Sequence, residues 1–99
     1  MICVHCVLLL GERFLLKTEE GFVPHGFYRN EYVFAFSREK AVARAIERAK
    51  KKLQKNDMAL IEGEPLRIVV EEVKLGMPIW RLFRNEGFIF FRDEKAVGP

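Results

Sequence analysis

One segment of this chain repeats its apolar residues at the period of an α-helix. The apolar positions recur at steps of four and three residues: Val42, Ile46, Ala49 and Leu53, with Ala41 and Ala45 beside them. Ser37 precedes the segment as an N-cap residue, and Glu39 complements the helix dipole in the first turn. We therefore predict one long amphipathic helix that begins after Ser37 and ends at Asn56-Asp57.

The rest of the chain is rich in β-branched, aliphatic and aromatic residues and is interrupted by glycine and proline. These runs predict six strands, at 2–10, 13–17, 27–36, 66–74, 79–84 and 88–92. The predicted breaks are a turn at Gly11-Glu12, a loop over 19–26, two Gly- and Pro-containing segments at 63–65 and 76–78, and a hairpin turn at 85–87. The predicted class is α+β, in the order β-β-β-α-β-β-β: an antiparallel sheet of five or six strands with one long helix packed on one face.

Composition limits the classes of protein to which this chain can belong. The chain has 99 residues, 49% hydrophobic and 31% charged, which predicts a single globular domain over 1–99. Its longest apolar run is far shorter than the ~20 residues of a membrane span, and no leader-peptide pattern precedes it, so we predict a cytoplasmic protein without a membrane partner. One Ser, one Thr, one Gln and three Asn beside abundant Lys and Glu indicate a thermophilic source.

The predicted strands are apolar on both faces. In the strand over 27–36, one side carries Tyr28, Tyr32, Phe34 and Phe36, and the other carries Phe27, Val33 and Ala35. One helix covers one face of a sheet, and an antiparallel sheet with a solvated face should alternate apolar with polar residues. We therefore predict a homodimer formed through an aromatic-rich sheet face, with a half-barrel that buries both faces in one chain as the alternative.

The segment Cys3-Val4-His5-Cys6 raises the question of metal or redox chemistry. Alternation in a strand places Cys3 and Cys6 on opposite faces, so they cannot share a zinc ion or form a disulfide with each other. A redox Cys-x-x-Cys also needs a helix N-terminus, and no helix is predicted to follow Cys6. We predict inert cysteines, no metal and no cofactor, and leave open one metal set of Cys3, His5 and a folded-back His25.

Two groups of residues are candidates for binding. The loop over 19–26 and its continuation bring an imidazole, a phenol and a guanidinium together as a candidate ligand site: His25, Tyr28 and Arg29. Between Arg38 and Lys55 lie eight basic and two acidic residues, a local charge of +6 in a chain of net charge +3. Five of these form a stripe roughly 22 Å long on one helix face, long enough to follow several phosphates: Lys40, Arg44, Arg48, Lys51 and Lys55.

These observations predict a small, non-enzymatic, self-associating domain. Its basic helix would bind an acidic partner, with nucleic acid as the candidate, although a merely solvated helix face has the same composition. The alternative prediction is a small enzyme or ligand-binding protein that works at His25, Tyr28 and Arg29. None of the familiar hydrolase or phosphate-binding motifs is present.

Overall fold

The computed structural model describes residues 3–76 and 87–93 and contains five strands and one helix. Their bounds are β1 Cys3–Thr18, β2 Gly21–Ala35, α1 Arg38–Leu53, β3 Met58–Leu60, β4 Arg67–Leu75 and β5 Ile89–Arg92. All four strand pairings are antiparallel, and the predicted α+β class is confirmed. The predicted strand order is wrong, because the described elements run β-β-α-β-β-β.

A hairpin of two long strands forms the centre of the sheet. β1 and β2 pair along their length from Cys3↔Ala35 to Thr18↔Gly21, and the chain reverses in a turn at Glu19-Glu20. The predicted turn at Gly11-Glu12 and most of the predicted loop over 19–26 are therefore wrong. Pro24 is tolerated inside β2 because its carbonyl faces away from β1 and accepts from Asp93 N at 3.1 Å, so its missing N–H costs the β1–β2 ladder no bond.

Instead of turning at Gly11, the chain makes a β-bulge. Three steps along β1, from Gly11 to Phe14, match only two along β2, from Phe27 to His25. The extra residue leaves Arg13 with a φ of 67°. A bulge resets the alternation of a strand, so Phe14 faces the same side as Leu9 and Gly11 and enters the core.

The remaining strands flank the central hairpin. β3 and β4 both pair with the same edge of β1, β3 at Phe14–Leu16 and β4 at His5–Glu12, while β5 pairs with β2 at His25–Tyr28. The sheet order is β3-β1-β2-β5, with β4 beside β1. The predicted strand at 66–74 is thus confirmed as β4 and that at 88–92 as β5. The predicted strand at 79–84 and most of the turn that follows it lie outside the described residues.

The core lies between α1 and one face of the sheet. Ser37 is confirmed as the N-cap, since its Oγ accepts from Lys40 N at 3.2 Å. The helix is shorter than predicted, 16 residues, and Asn56 Nδ2 donates to the Lys52 and Leu53 carbonyls at its end. Its fully buried row is Ala41, Ala45, Ala49 and Leu53, whereas Val42 and Ile46 are only half-buried. Small alanine side chains let the helix approach the sheet closely, so they form the contact line in place of Val42 and Ile46.

Candidate interaction surfaces

The two faces of the sheet differ in what covers them. On β2, Phe27, Val33 and Ala35 are buried beneath α1, while Tyr28 and Phe34 on the opposite face are 40% and 42% exposed. This confirms the predicted alternation within β2, whereas Phe36 lies beyond the end of the strand, with Lys40 Nζ 5.9 Å from its ring centroid. We define the aromatic face as the four exposed large apolar residues that the described part of β2 and β5 presents on the side away from the helix: Phe22, Tyr28, Phe34 and Ile89.

The aromatic face is interrupted by buried residues on the same side of the sheet. Val4, Cys6 and Tyr32 face away from the helix as well, yet each is buried. The predicted side of Tyr32 is correct, but Tyr32 is buried, whereas Tyr28 and Phe34 on the same strand are exposed. Tyr28 packs on Phe91 with ring centroids 5.5 Å apart, and Phe91 lies over Gly26. The exposed Tyr28 ring is therefore held by a neighbour within the sheet.

Two pairs of oppositely charged residues lie beside the aromatic face. Lys74 Nζ lies 4.0 Å from Glu72 Oε1, and Arg67 Nη1 lies 3.7 Å from Glu12 Oε2. Register with β1 places all four residues on the side away from the helix. These two pairs are neutral, in contrast to α1, whereas Lys17, opposite Phe22, is exposed on the same side with no described carboxylate within ion-pairing distance.

All five residues of the predicted basic stripe are exposed, on α1 or directly after it: Lys40, Arg44, Arg48, Lys51 and Lys55. Two of them also hold the helix to the sheet. Arg44 Nη1 donates to the Phe34 carbonyl at 2.8 Å, and Arg48 Nη1 donates to the Tyr32 carbonyl at 3.2 Å. A guanidinium has five N–H donors, so each arginine keeps donors for a partner while its position is fixed.

A shallow depression lies along this stripe. Arg44, Arg48 and Lys51 line it together with Glu47, and its volume is about 200 Å³. Glu47 Oε1 lies 3.8 Å from Lys51 Nζ, an exposed pair at i,i+4. One carboxylate among three cations leaves the depression positively charged.

The residues of the predicted ligand loop lie on a strand. His25, Tyr28 and Arg29 belong to β2, with His25 opposite Phe14 and Arg29 opposite Leu9. Tyr28 projects to the aromatic face and Arg29 to the helix side, where it is buried. His25 and Arg29 share a face but are four residues, about 13 Å, apart along the strand. His25 Nδ1 lies 2.8 Å from the Val23 carbonyl. The prediction that these residues sit together in a loop is wrong.

A buried ion pair on β2 was not foreseen. Arg29 Nε and Glu31 Oε2 are in direct contact on the helix side, and both side chains are 3% exposed. Lys52 Nζ, from the last turn of α1, reaches both Glu31 oxygens at 3.2 and 3.3 Å. The Arg29 guanidinium lies 4.6 Å above the Phe88 ring, a cation–π distance. The sequence does contain a sign of this pair. Arg29 and Glu31 alternate with the residues of the aromatic face, so both fall on the side of β2 that carries the buried Phe27 and Val33.

The segment Cys3-Val4-His5-Cys6, which raised the question of metal or redox chemistry, lies in β1, and its prediction as a strand is confirmed. Cys3 pairs with Ala35 and Cys6 with Tyr32 on opposite faces, and Cys6 Sγ lies 3.7 Å from Asn30 Oδ1. His25 lies opposite Phe14, nine residues from His5 along β1, or about 30 Å, so the set Cys3, His5 and His25 does not converge. Within residues 3–76 and 87–93, no three His, Cys, Asp or Glu side chains form a metal-binding group.

We expect purified protein to contain no stoichiometric zinc, because the two thiols cannot approach one ion. Elemental analysis of protein purified without chelator checks this, with the Cys3→Ser and Cys6→Ser variants measured in parallel. About one zinc per chain that disappears in either variant would contradict the expectation.

Comparison of the chain with protein-family models, with curated proteins and with solved structures found no match. Within the described part of the chain, no helix is long and apolar enough to cross a membrane. Function must therefore be inferred from the surfaces themselves.

Proposed function

We propose that this chain is a non-enzymatic binding domain that self-associates through the aromatic face and binds an acidic partner through the basic stripe. The observation that carries the proposal is the division of the molecule into two unlike sides. One side of the sheet is covered by a helix whose outer surface is basic, and the other presents exposed aromatic residues beside paired charges.

A second copy of the chain suits the aromatic face in area and in charge. With about 150–250 Å² for a whole aromatic side chain, three half-exposed rings and Ile89 offer roughly 400 Å² of apolar surface. A standard interface covers about 800 Å² per partner, of which rather more than half is apolar. The paired charges beside the face let two copies of a +3 chain approach without repulsion, since the excess positive charge lies on α1. A two-fold axis is the usual arrangement for such a contact.

We expect light scattering at micromolar concentration to give twice the mass of one chain. Replacing Tyr28 and Phe34 by Lys should give monomers, because it places unpaired charges in the centre of the interface. The matched control is Leu75→Lys, since Leu75 is 66% exposed and faces the other side of the sheet. A parent chain that stays monomeric at all concentrations contradicts self-association, and a double variant that stays dimeric contradicts this face.

The basic stripe suits a partner with a regular run of negative charges. Its five cations lie on one exposed face of α1 and of the residues directly after it. Two of them are fixed by bonds to β2 carbonyls, so these two side chains lose little conformational freedom on binding. Phosphates of a nucleic acid fit this description, and such contacts dominate sequence-independent affinity. Nucleic acid is therefore the partner we propose.

We expect affinity for a duplex to fall with salt, with log K against log salt at a slope of about −3 to −4.5 for about three to five phosphate contacts. Replacing Lys40, Lys51 and Lys55 by Glu should abolish binding while keeping the arginine bonds to β2. Fluorescence anisotropy with a labelled duplex measures both effects. The control variant, Lys17→Glu with Lys74→Glu and Arg92→Glu, changes the net charge equally but lies off the helix. Equal losses in the two variants, or no binding at low salt, would contradict a role for the stripe.

The alternative of an enzyme or ligand site at His25, Tyr28 and Arg29 stays a prediction that the geometry favours less. Tyr28 and Arg29 project to opposite faces of β2, and Arg29 is engaged by Glu31. A catalytic group must come within hydrogen-bond reach of the atoms on which it acts, and these three do not share one space.

A further inference from the structure

A cleft with a basic rim lies at the junction of the bulge in β1, α1 and the start of β4. Its volume is about 410 Å³, which falls in the ordinary range for small-molecule sites. Two cations from two elements line it, Arg13 of β1 and Lys50 of α1, while Arg67 of β4 borders it with a side chain that points to the other side of the sheet, toward Glu12. Ile46, Leu66 and Ile68 supply apolar walls.

The bulge is what brings Arg13 to this cleft. In a regular strand Arg13 and Phe14 would face opposite sides, but Phe14 is buried in the core and Arg13 lines the cleft beside Ile46 of the helix. Arg13 has a φ of 67°, the one positive φ of a non-glycine residue among those described. Left-handed backbone is unfavourable for arginine, so the packing that holds Phe14 in the core also fixes Arg13 at the rim.

The charges of the cleft are not balanced within the described residues. Arg67 lies 3.7 Å from Glu12, but no described carboxylate lies within ion-pairing distance of Arg13 or Lys50. Among the residues that the structure describes, no acidic one lines the cleft. Two uncompensated cations beside apolar walls are complementary to a molecule that joins an anionic group to an apolar body.

We propose that this cleft binds a small organic anion, with Arg13 and Lys50 holding its carboxylate or phosphate and Ile46, Leu66 and Ile68 packing against its apolar part. The site is separate from the basic stripe and from the aromatic face. It adds a small-molecule ligand to a domain proposed to bind macromolecules.

Titration of the ¹⁵N-labelled full chain with octanoate, below its micelle concentration, tests the site by amide chemical shifts. We expect saturable shifts at Arg13, Lys50, Leu66 and Ile68. Octanol should bind at least about tenfold more weakly, because it lacks the charge-assisted bonds. Inorganic phosphate should also bind more weakly than octanoate, because it lacks the apolar body.

Arg13→Asn combined with Lys50→Gln should weaken octanoate binding at least about tenfold, and asparagine tolerates the left-handed backbone at position 13. The matched control, Lys17→Gln with Lys74→Gln, removes the same charge from exposed sheet positions outside the cleft and outside the basic stripe, and should bind as the parent does. Shifts confined to Tyr28 and Phe34, equal binding of octanol, or equal losses in the two variants would overturn the proposal. The duplex and light-scattering measurements of the parent chain test the proposed function independently of this cleft.

Discussion

The variant Glu31→Gln should lose about 3–5 kcal/mol of unfolding free energy, the usual cost of breaking a buried ion pair. The substitution keeps the size of the side chain but removes the negative charge that faces Arg29 and Lys52. Both Arg29 and Glu31 have side chains that are 3% exposed, so water cannot replace the lost carboxylate. Urea unfolding at one fixed protein concentration, with an unchanged m-value, measures the loss.

The chain supplies a matched control for this substitution. Glu72 and Lys74 also form an ion pair two residues apart on one strand, but their side chains are 54% and 63% exposed. Glu72→Gln should therefore cost less than about 1 kcal/mol. Equal effects of the two substitutions would mean that burial of the Arg29–Glu31 pair contributes nothing.

A second variant separates the charge from the packing at this position. Replacing both partners, Arg29→Met with Glu31→Leu, removes the buried charges together and fills similar volume. Such exchanges are often neutral or stabilising. We expect the double variant to be more stable than Glu31→Gln alone. If it is less stable, the guanidinium of Arg29 contributes through its contact with the Phe88 ring as well as through the ion pair.

Patterns that depend on one element alone were predictable from the sequence. The α+β class, the start of α1 at Ser37 and the two faces of β2 follow from periodicity and capping chemistry, which act within a few residues. The exposure of all five stripe residues follows in the same way from the helical period. The residues of the proposed binding surfaces were thus largely predictable. The light-scattering and anisotropy measurements test what these surfaces bind.

Features that depend on contacts between distant residues were not predictable. The buried Arg29–Glu31 pair is completed by Lys52, which is 21 residues from Glu31 in sequence. The cleft at Arg13 needs the pairing of β1 with β2 and β4 as well as the position of α1. The sequence predicts a turn at Gly11 because glycine is common in short hairpins. Gly11 is in fact a strand residue whose partner, Phe27, determines the need for glycine.

Gly11→Ala is therefore the second substitution with a large expected effect. An added Cβ would lie 1.9 Å from Phe27 Cε2 and 2.4 Å from Cζ, far inside contact distance. The Phe27 ring is fully buried and packs against Phe14 and Phe88 at centroid distances of 5.9 and 4.9 Å, so it has no room to move. We expect a loss of about 3 kcal/mol in unfolding free energy, at the upper end of the usual cost of overpacking, measured by urea unfolding.

A double-mutant cycle with Phe27→Leu identifies the cause of that loss. If the ring excludes the methyl group, Gly11→Ala should cost about 1–2 kcal/mol less in the Phe27→Leu background than in the parent. Gly11 is not among the described glycines with a positive φ, so the backbone itself accepts alanine there. A loss of the same size in both backgrounds would place the requirement for glycine in the backbone of β1. A loss below about 0.5 kcal/mol in the parent would show that the ring can move aside.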